Sequence, residues 1–320
     1  PDCLDSVNRQ TFRDFETIIV DDGSTDATGL IADGYVSTTK NALVLHGENQ
    51  GPLLARRKGL KSCHGEYVVL LDADDALKEN ALEKLKESID SSNADIVSFR
   101  FSDKPDFSST YDVNFLPVGN YDQSDYAKYR RIIILGLSNT LCGKAIRFTC
   151  FDLSDNYESF GKLMYAEDLF QALPVVDSAN SFARIDDILY FYRQNETSST
   201  ACFRASYIRD IERVAVRILE YGRRWDMPDD AVRGSLRLYV NLAKMLADSV
   251  DKLDPEDSKD QLVNLQRSMA MLDIDINYGL KLMRLDQRCL LKSVLSNRLE
   301  FLRVVTKASH LGRRILGRSF

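Results

Sequence analysis

Asp72, Asp74 and Asp75 end the stretch EYVVLLDADDAL at residues 66–77. An apolar run over residues 67–71 delivers these carboxylates to one place, where they repel one another. A bound cation would offset that repulsion. Mg²⁺ and Mn²⁺ are hard ions that take oxygen ligands, usually one or two carboxylates plus substrate phosphates. Residues i and i+2 of an extended chain point to the same side, so Asp72 and Asp74 can address one ligand. A second stretch, IIVDDGS, ends in Asp21 and Asp22. Ligands of open α/β sheets sit beyond the carboxyl ends of the strands. Two such acidic ends make a pocket for a metal–phosphate ligand and for a group that donates hydrogen bonds. The competing reading is structural. Acidic residues also cap helices, and Asp, Gly and Ser supply turn geometry, a role that suits Gly23 and Ser24 in either case.

These residues need strands and helices to position them. Residues 15–20 (FETIIV), 42–46 (ALVLH), 67–71 (YVVLL) and 94–101 (ADIVSFRF) read as strands. A helix is expected from Ser24, a good N-cap, another through LLARRKGL, and a third near ENALEKLKESI with Ala81, Leu82, Leu85 and Ile89 on one face. Strand–helix alternation with buried strands predicts an α/β fold whose sheet is mainly parallel and covered on both faces. Beyond about residue 203 the pattern becomes helical, as in Ile208, Ile211, Val214, Ala215, Ile218 and Leu219. The expected division is residues 1–202 as the α/β domain and 203–320 as a helical C-terminal region.

IIVDDGSTD, ENQGPLLARRKGL, YVVLLDADD, YAEDLF and YFYRQNETSST occur in this order. Together they resemble the family 2 glycosyltransferases, which have the GT-A fold, over roughly residues 3–200. A D-x-D alone is common by chance; five segments in order are specific. The resemblance implies a role for each segment. Asp21 would accept a hydrogen bond from the imide N–H of a uracil base, which suits an acceptor-only carboxylate. Arg56 would face the nucleotide. Asp72 would contact the ribose side, and Asp74 would hold a Mn²⁺ or Mg²⁺ bridging the diphosphate, with Asp75 also in reach. Asp168 would be the catalytic base, although acidic pairs such as Glu167–Asp168 also favour a first helical turn for its dipole. Arg193 and Ser198 would close over the diphosphate. Of the consecutive Arg56, Arg57 and Lys58, only one can face a ligand; Arg56 is chosen by its place in the motif and the others are expected to be solvated. His46, His64 and His310 show no ligand spacing and read as ordinary histidines.

The implied function is an inverting, metal-dependent transfer from a nucleotide-sugar to a glycan or lipid-linked acceptor, in the synthesis of a cell-surface polysaccharide. A nucleotidyltransferase would more often show a Gly-rich basic phosphate loop. A non-catalytic sugar-nucleotide-binding or scaffolding protein is the other alternative, since the family's first strand is not seen ahead of residues 3–12. That strand's place is expected to be a slot between residues 17–20 and 68–71, or a direct pairing of the two. The net charge of -6 argues against a general nucleic-acid binder. The scattered cysteines read as reduced thiols, so the expected location is the cytoplasm and the sequon at Asn195 is expected to stay unmodified. In the tail, Leu299, Leu302, Val305 and Ser309 trace a helical line beside Arg298, Arg303, Lys307, Arg313, Arg314 and Arg318. Such a basic amphipathic helix suits either peripheral contact with the inner face of a membrane or packing on the helical region.

Overall fold

The computed structural model describes residues 1–110, 116–154, 156–194 and 202–316. The chain divides into two units, one of residues 1–133 and 137–195, the other of residues 134–136 and 196–320.

In chain order the first unit contains α1 (Asp2–Asn8), β1 (Thr17–Asp21), α2 (Thr28–Thr38), β2 (Ala42–His46) and α3 (Pro52–Leu60). It continues with β3 (Tyr67–Val69), β4 (Ala76–Leu77), α4 (Ala81–Ser92), β5 (Ile96–Ser102), β6 (Gly119–Asp122) and α5 (Gln123–Ile134), whose last residue is grouped with the second unit. β7 (Lys144–Arg147), α6 (Glu167–Ser178) and β8 (Ser181–Phe191) complete it. The four strands read from the sequence are present as β1, β2, β3 and β5. The helix expected from Ser24 is α2, which begins at Thr28 because Ser24 is held in the turn after β1 by donating its N–H to Asp21 at 2.9 Å.

The fold is α/β, but strand direction is more mixed than alternation suggests. β1 and β2 pair in parallel, from Thr17 opposite Ala42 to Asp21 opposite His46. The larger sheet has the order β3-β7-β5-β8-β4, with β6 also on β8. Within it only β5–β8 is parallel among the described pairs; β3–β7, β5–β7, β4–β8 and β6–β8 are antiparallel. Strand–helix periodicity stops after β5. The eleven-residue β8 is long enough to serve β4, β5 and β6 along its length.

β1 pairs with β2 and β3 with β7, and no described strand hydrogen-bonds between β1 and β3. Direct pairing of the two is therefore not made among the described residues. Among the described residues β1 and β3 each have one edge without a partner strand. Both are accordingly half-buried, whereas β5 is buried almost throughout.

The core of the larger sheet packs Leu85 and Ala81 of α4 against Val97, Phe99, Phe101, Ala145 and Tyr190. The rings of Phe101 and Tyr190 lie 5.0 Å apart, and Tyr190 connects this core to the acidic loop after β3. Gly143 meets that core with φ +76°, and a Cβ there would run into the Phe101 ring, so both conformation and space call for glycine.

The second unit is helical: α7 (Ser206–Arg224), α8 (Pro228–Ser249), α9 (Pro255–Ala270), α10 (Ile276–Leu282), α11 (Leu285–Leu295) and α12 (Leu299–Leu316). α8 touches each of the others. Its Leu236, Tyr239, Leu242, Ala243 and Leu246 are fully buried, and Tyr239 and Ser268 hydroxyls lie 2.9 Å apart. No helix among the described residues is long and apolar enough to cross a membrane.

Candidate active site

The loop after β3 sorts its carboxylates by depth. Asp75 is buried, with Oδ2 accepting from the Tyr190 hydroxyl at 2.6 Å and Oδ1 from the Arg193 backbone N–H at 2.8 Å. Burial pushes its pKa up to about 6, against the pull of those two bonds. Asp75, expected in reach of a metal, thus ties the loop to the end of β8 and has both carboxylate oxygens engaged within the protein. The cause is pairing: β4 sits antiparallel on β8, Ala76 opposite Phe191, which turns the preceding side chain inward. Asp74, one position earlier, is exposed. Its backbone carbonyl accepts from Arg193 Nε at 2.8 Å, and Arg193 Nη2 donates to Asp2 at 2.8 Å. Arg193 is thus tied to the acidic loop and to Asp2, while Ser198 lies outside the described residues.

Arg56 organises the rest. Nη1 donates to Asp168 Oδ1 at 2.6 Å and to Glu167 at 3.3 Å, and Nη2 donates to Asp72 Oδ1 at 3.3 Å. One guanidinium thereby brings Asp72 and Asp168, 96 residues apart in sequence (168 − 72), to opposite ends of its fork. A planar fork suits this bridging role better than a point charge. Glu167 and Asp168 open α6. Burial raises both carboxyls. Glu167 reaches about 7, with the Asp168 charge adding and Arg56 opposing. Asp168 is raised by burial and by the Asp72 charge, against Arg56 and Lys144. Arg56 itself is buried enough to disfavour its charge, but Asp168, Asp72 and Glu167 outweigh that and raise its pKa.

Asp21 ends β1. Its Oδ1 accepts from the Ser24 N–H at 2.9 Å and its Oδ2 lies 2.9 Å from His46 Nδ1. Hydrogen bonds from Ser24, then His46, hold its pKa down at about 2. Asp22 is structural: it accepts from the N–H groups of Gln50 and Gly51, at 2.9 and 2.7 Å, at the start of α3. Asp21 lines a cavity of about 490 Å³ with Gln50, Arg57, Lys58, Asn156 and Tyr157. Asp72, Asp74 and Asp168 do not line it. Arg56 and Arg57 diverge by about 100° around α3, so the cavity and the Arg56 carboxylates lie on different faces of that helix.

Three residues stand differently from their sequence reading. Arg57 is not solvated: it is buried, donates to the Asp152 carbonyl and stacks 4.6 Å over the Tyr157 ring. His46 contacts Asp21 directly. Lys144, unremarked in the sequence, is buried on β7, donates to the Thr140 carbonyl and has its pKa lowered by burial to about 8. No periodic signal marks a buried lysine. For His46 the signal was its parallel register with Asp21.

Residues 1–151 match the model of glycosyl transferase family 2. The chain is similar to the uncharacterized glycosyltransferase EpsJ of Bacillus subtilis, 28% identical over 62% of this chain and 58% of EpsJ. It is also similar to glycosyltransferase GlyG of Streptococcus pneumoniae, 38% identical over 30% of this chain and 32% of GlyG. The chain thus spans about a third to three-fifths of the length of these curated relatives. Among solved structures, S. aureus TarS 1-349 superposes with a TM-score of 0.67 at 19% identity, over 97% of this chain and 87% of that one. At that identity the likeness speaks for the fold. TarS 1-349 has also been solved in complex with UDP-GlcNAc.

Proposed function

We propose, from the premise that residues 1–151 of this chain belong to glycosyl transferase family 2, that the protein moves a sugar from a UDP-sugar to an acceptor hydroxyl with inversion, in making a cell-envelope glycan. The observation that carries the reading is the Arg56 fork, which holds together Asp72 and Asp168, the groups that this reading assigns to the donor and to the base. The UDP-GlcNAc complex of a protein with this fold supports the choice of donor.

In this reading Asp168 takes the proton of the acceptor hydroxyl. The acceptor oxygen forms the new bond to the anomeric carbon as the bond from that carbon to the diphosphate oxygen breaks, and UDP leaves with the electron pair. A raised pKa suits a base that must take up a proton near neutrality. Arg56 opposes that rise and keeps Asp168 available in its ionised form.

The residues fit a divalent ion. Asp74 offers one exposed carboxylate in the loop after β3, as suits an ion that takes donor phosphates among its ligands. Asp74, exposed beside Asp72, would hold Mn²⁺ or Mg²⁺, which supplies neutralisation of charge on the leaving diphosphate. Asp74→Ala is expected to abolish the dependence of UDP binding on Mn²⁺, measured by calorimetry with and without the ion. Unchanged dependence would reassign the ligand. The reaction itself is tested by UDP release from UDP-sugars with candidate acceptors. Binding of UDP-sugar with no release under any of them would favour the non-catalytic alternative.

A membrane-associated acceptor is favoured by one feature of α12. Leu302 and Thr306 are buried within the helical unit, while Phe301 and Val304 stand 49% and 62% exposed on the outer face. Arg298 and Lys307 are exposed nearby. The expected line through Leu302 therefore faces inward, and the outward stripe is a different one. Arg318 lies outside the described residues. Such a surface would lie on anionic lipid, each basic residue contributing about 1 kcal/mol. Phe301→Glu with Val304→Glu should lose most flotation with anionic vesicles; recovery equal to the parent would reject the membrane role.

A further inference from the structure

His46 stands between two carboxylates from different elements. Nδ1 is 2.9 Å from Asp21 Oδ2, at the end of β1, and Nε2 is 3.0 Å from Asp33 Oδ1, on α2. Ionised carboxylates only accept hydrogen bonds, and both imidazole nitrogens donate only in the imidazolium form. The geometry is thus that of a positively charged histidine. The third neighbour with a charge is Lys58 on α3, whose Nζ donates to the His46 backbone carbonyl at 2.5 Å and not to the ring. Asp22 and Glu48, in the adjoining turns, line the cavity beside Asp21.

Asp21 is also among the residues that line the cavity. One oxygen of Asp21 is fixed by the Ser24 N–H and the other by His46. Each carboxylate oxygen has two lone pairs, so both keep an acceptor position beyond these contacts. Gly29 on α2 allows the close approach: a Cβ there would stand 2.9 Å from Asp21 Oδ2, in the place the histidine needs.

We infer that His46 is a positioning residue for Asp21, locking the carboxylate in the orientation with which it receives the donor's base. The inference rests on the nucleotide assignment of Asp21 made above. It ties β1, β2 and α2 into one support for base recognition, and it makes that recognition sensitive to pH. Asp33 and Asp21 raise the His46 pKa above its ordinary value, while Asp21 stays ionised throughout the neutral range. The charged contact is therefore complete below the ordinary histidine value and is lost as pH rises through the raised one.

The test is calorimetric binding of uridine diphosphate with Mg²⁺ between pH 6 and 9, for the parent chain, His46→Asn, His46→Ala and Asp21→Ala. The Asn amide can donate to Asp21 without titrating. The probe's own phosphate titrates in the same range, so the quantity read is the ratio of parent to His46→Asn affinity, in which that titration cancels. The ratio should fall about tenfold across the range, the scale of one charge-assisted hydrogen bond. His46→Ala should bind more weakly than His46→Asn at pH 6, with both folded by thermal melting. A ratio independent of pH, or His46→Ala binding like the parent, overturns the positioning role. If Asp21→Ala binds like the parent, the nucleotide assignment itself fails and this inference falls with it. Weak binding by Asp21→Ala beside normal binding by His46→Ala sinks this inference alone.

Discussion

Asp168→Asn is expected to lower transfer by about 100- to 10,000-fold, the range that a positioned general base contributes, while UDP binding stays within about twofold of the parent. The asparagine keeps the volume of the side chain and can still meet Arg56 through its amide oxygen, so the Arg56 contact to Asp168, 2.6 Å in the parent, survives in neutral form. What is lost is the site that takes the acceptor proton. A loss of kcat with the donor affinity retained identifies an interaction made at the reacting acceptor. Equal loss of donor binding would assign Asp168 to the nucleotide instead. The pH profile offers a second reading. Burial raises both carboxyls of the Glu167–Asp168 pair, Glu167 to about 7. The base must be ionised, so the acid limb of the rate should lie well above the ordinary carboxylate range, and the residual rate of Asp168→Asn should lack it.

The parts of this site that were legible in the sequence are those fixed by local pattern. A strand that ends in D-x-D-D announces acid at a strand end, and the E-D pair opening an apolar helix places Glu167 and Asp168 in a first turn. What was not legible depends on partners far away in the chain. Asp75 differs from Asp74 by one position, yet it is buried because Tyr190 and Arg193 arrive on β8 to meet it. Helix geometry separates Arg57 from Arg56 but does not say what waits on its side. Here that is the Asp152 carbonyl and the Tyr157 ring. His46 shows no ligand spacing in the sequence, whereas its contact with Asp21 arises from strand register, Asp21 opposite His46. Strand direction had the same limit. Alternation of strands and helices told the class of the fold, but the antiparallel partners of β8 are set by contacts between segments up to about a hundred residues apart.

Arg56→Ala should be the most destabilising single change in the cleft. Removing one partner of a buried ion pair leaves the other charge uncompensated and typically costs about 3–5 kcal/mol. Here three carboxylates lose the same cation, but they do not lose it equally. Asp72 is 40% exposed and is largely rehydrated, whereas Glu167 and Asp168 are 17% and 20% exposed and carry most of the effect. The lower end, about 3 kcal/mol, is therefore expected, and for a unit of this size it corresponds to a fall in Tm of roughly 6–12 °C. The pH dependence has a definite sign. Without Arg56 the folded-state pKa values of Glu167 and Asp168 rise further above their unfolded values. A carboxyl raised by folding favours the native state only while protonated, so the deficit is full above the raised values and shrinks as pH falls toward 5. Arg56→Lys should recover part of the stability and little of the activity, since one ammonium cannot span Asp72 and Asp168 together. Combining Arg56→Ala with Asp168→Asn should cost less than the sum of the two, because the neutral amide removes a charge that Arg56 had compensated. Melting of Arg56→Ala at the parent temperature, at both pH 5 and pH 8, would show that the fork is a contact of convenience and that Asp72 and Asp168 are held in the cleft by something else.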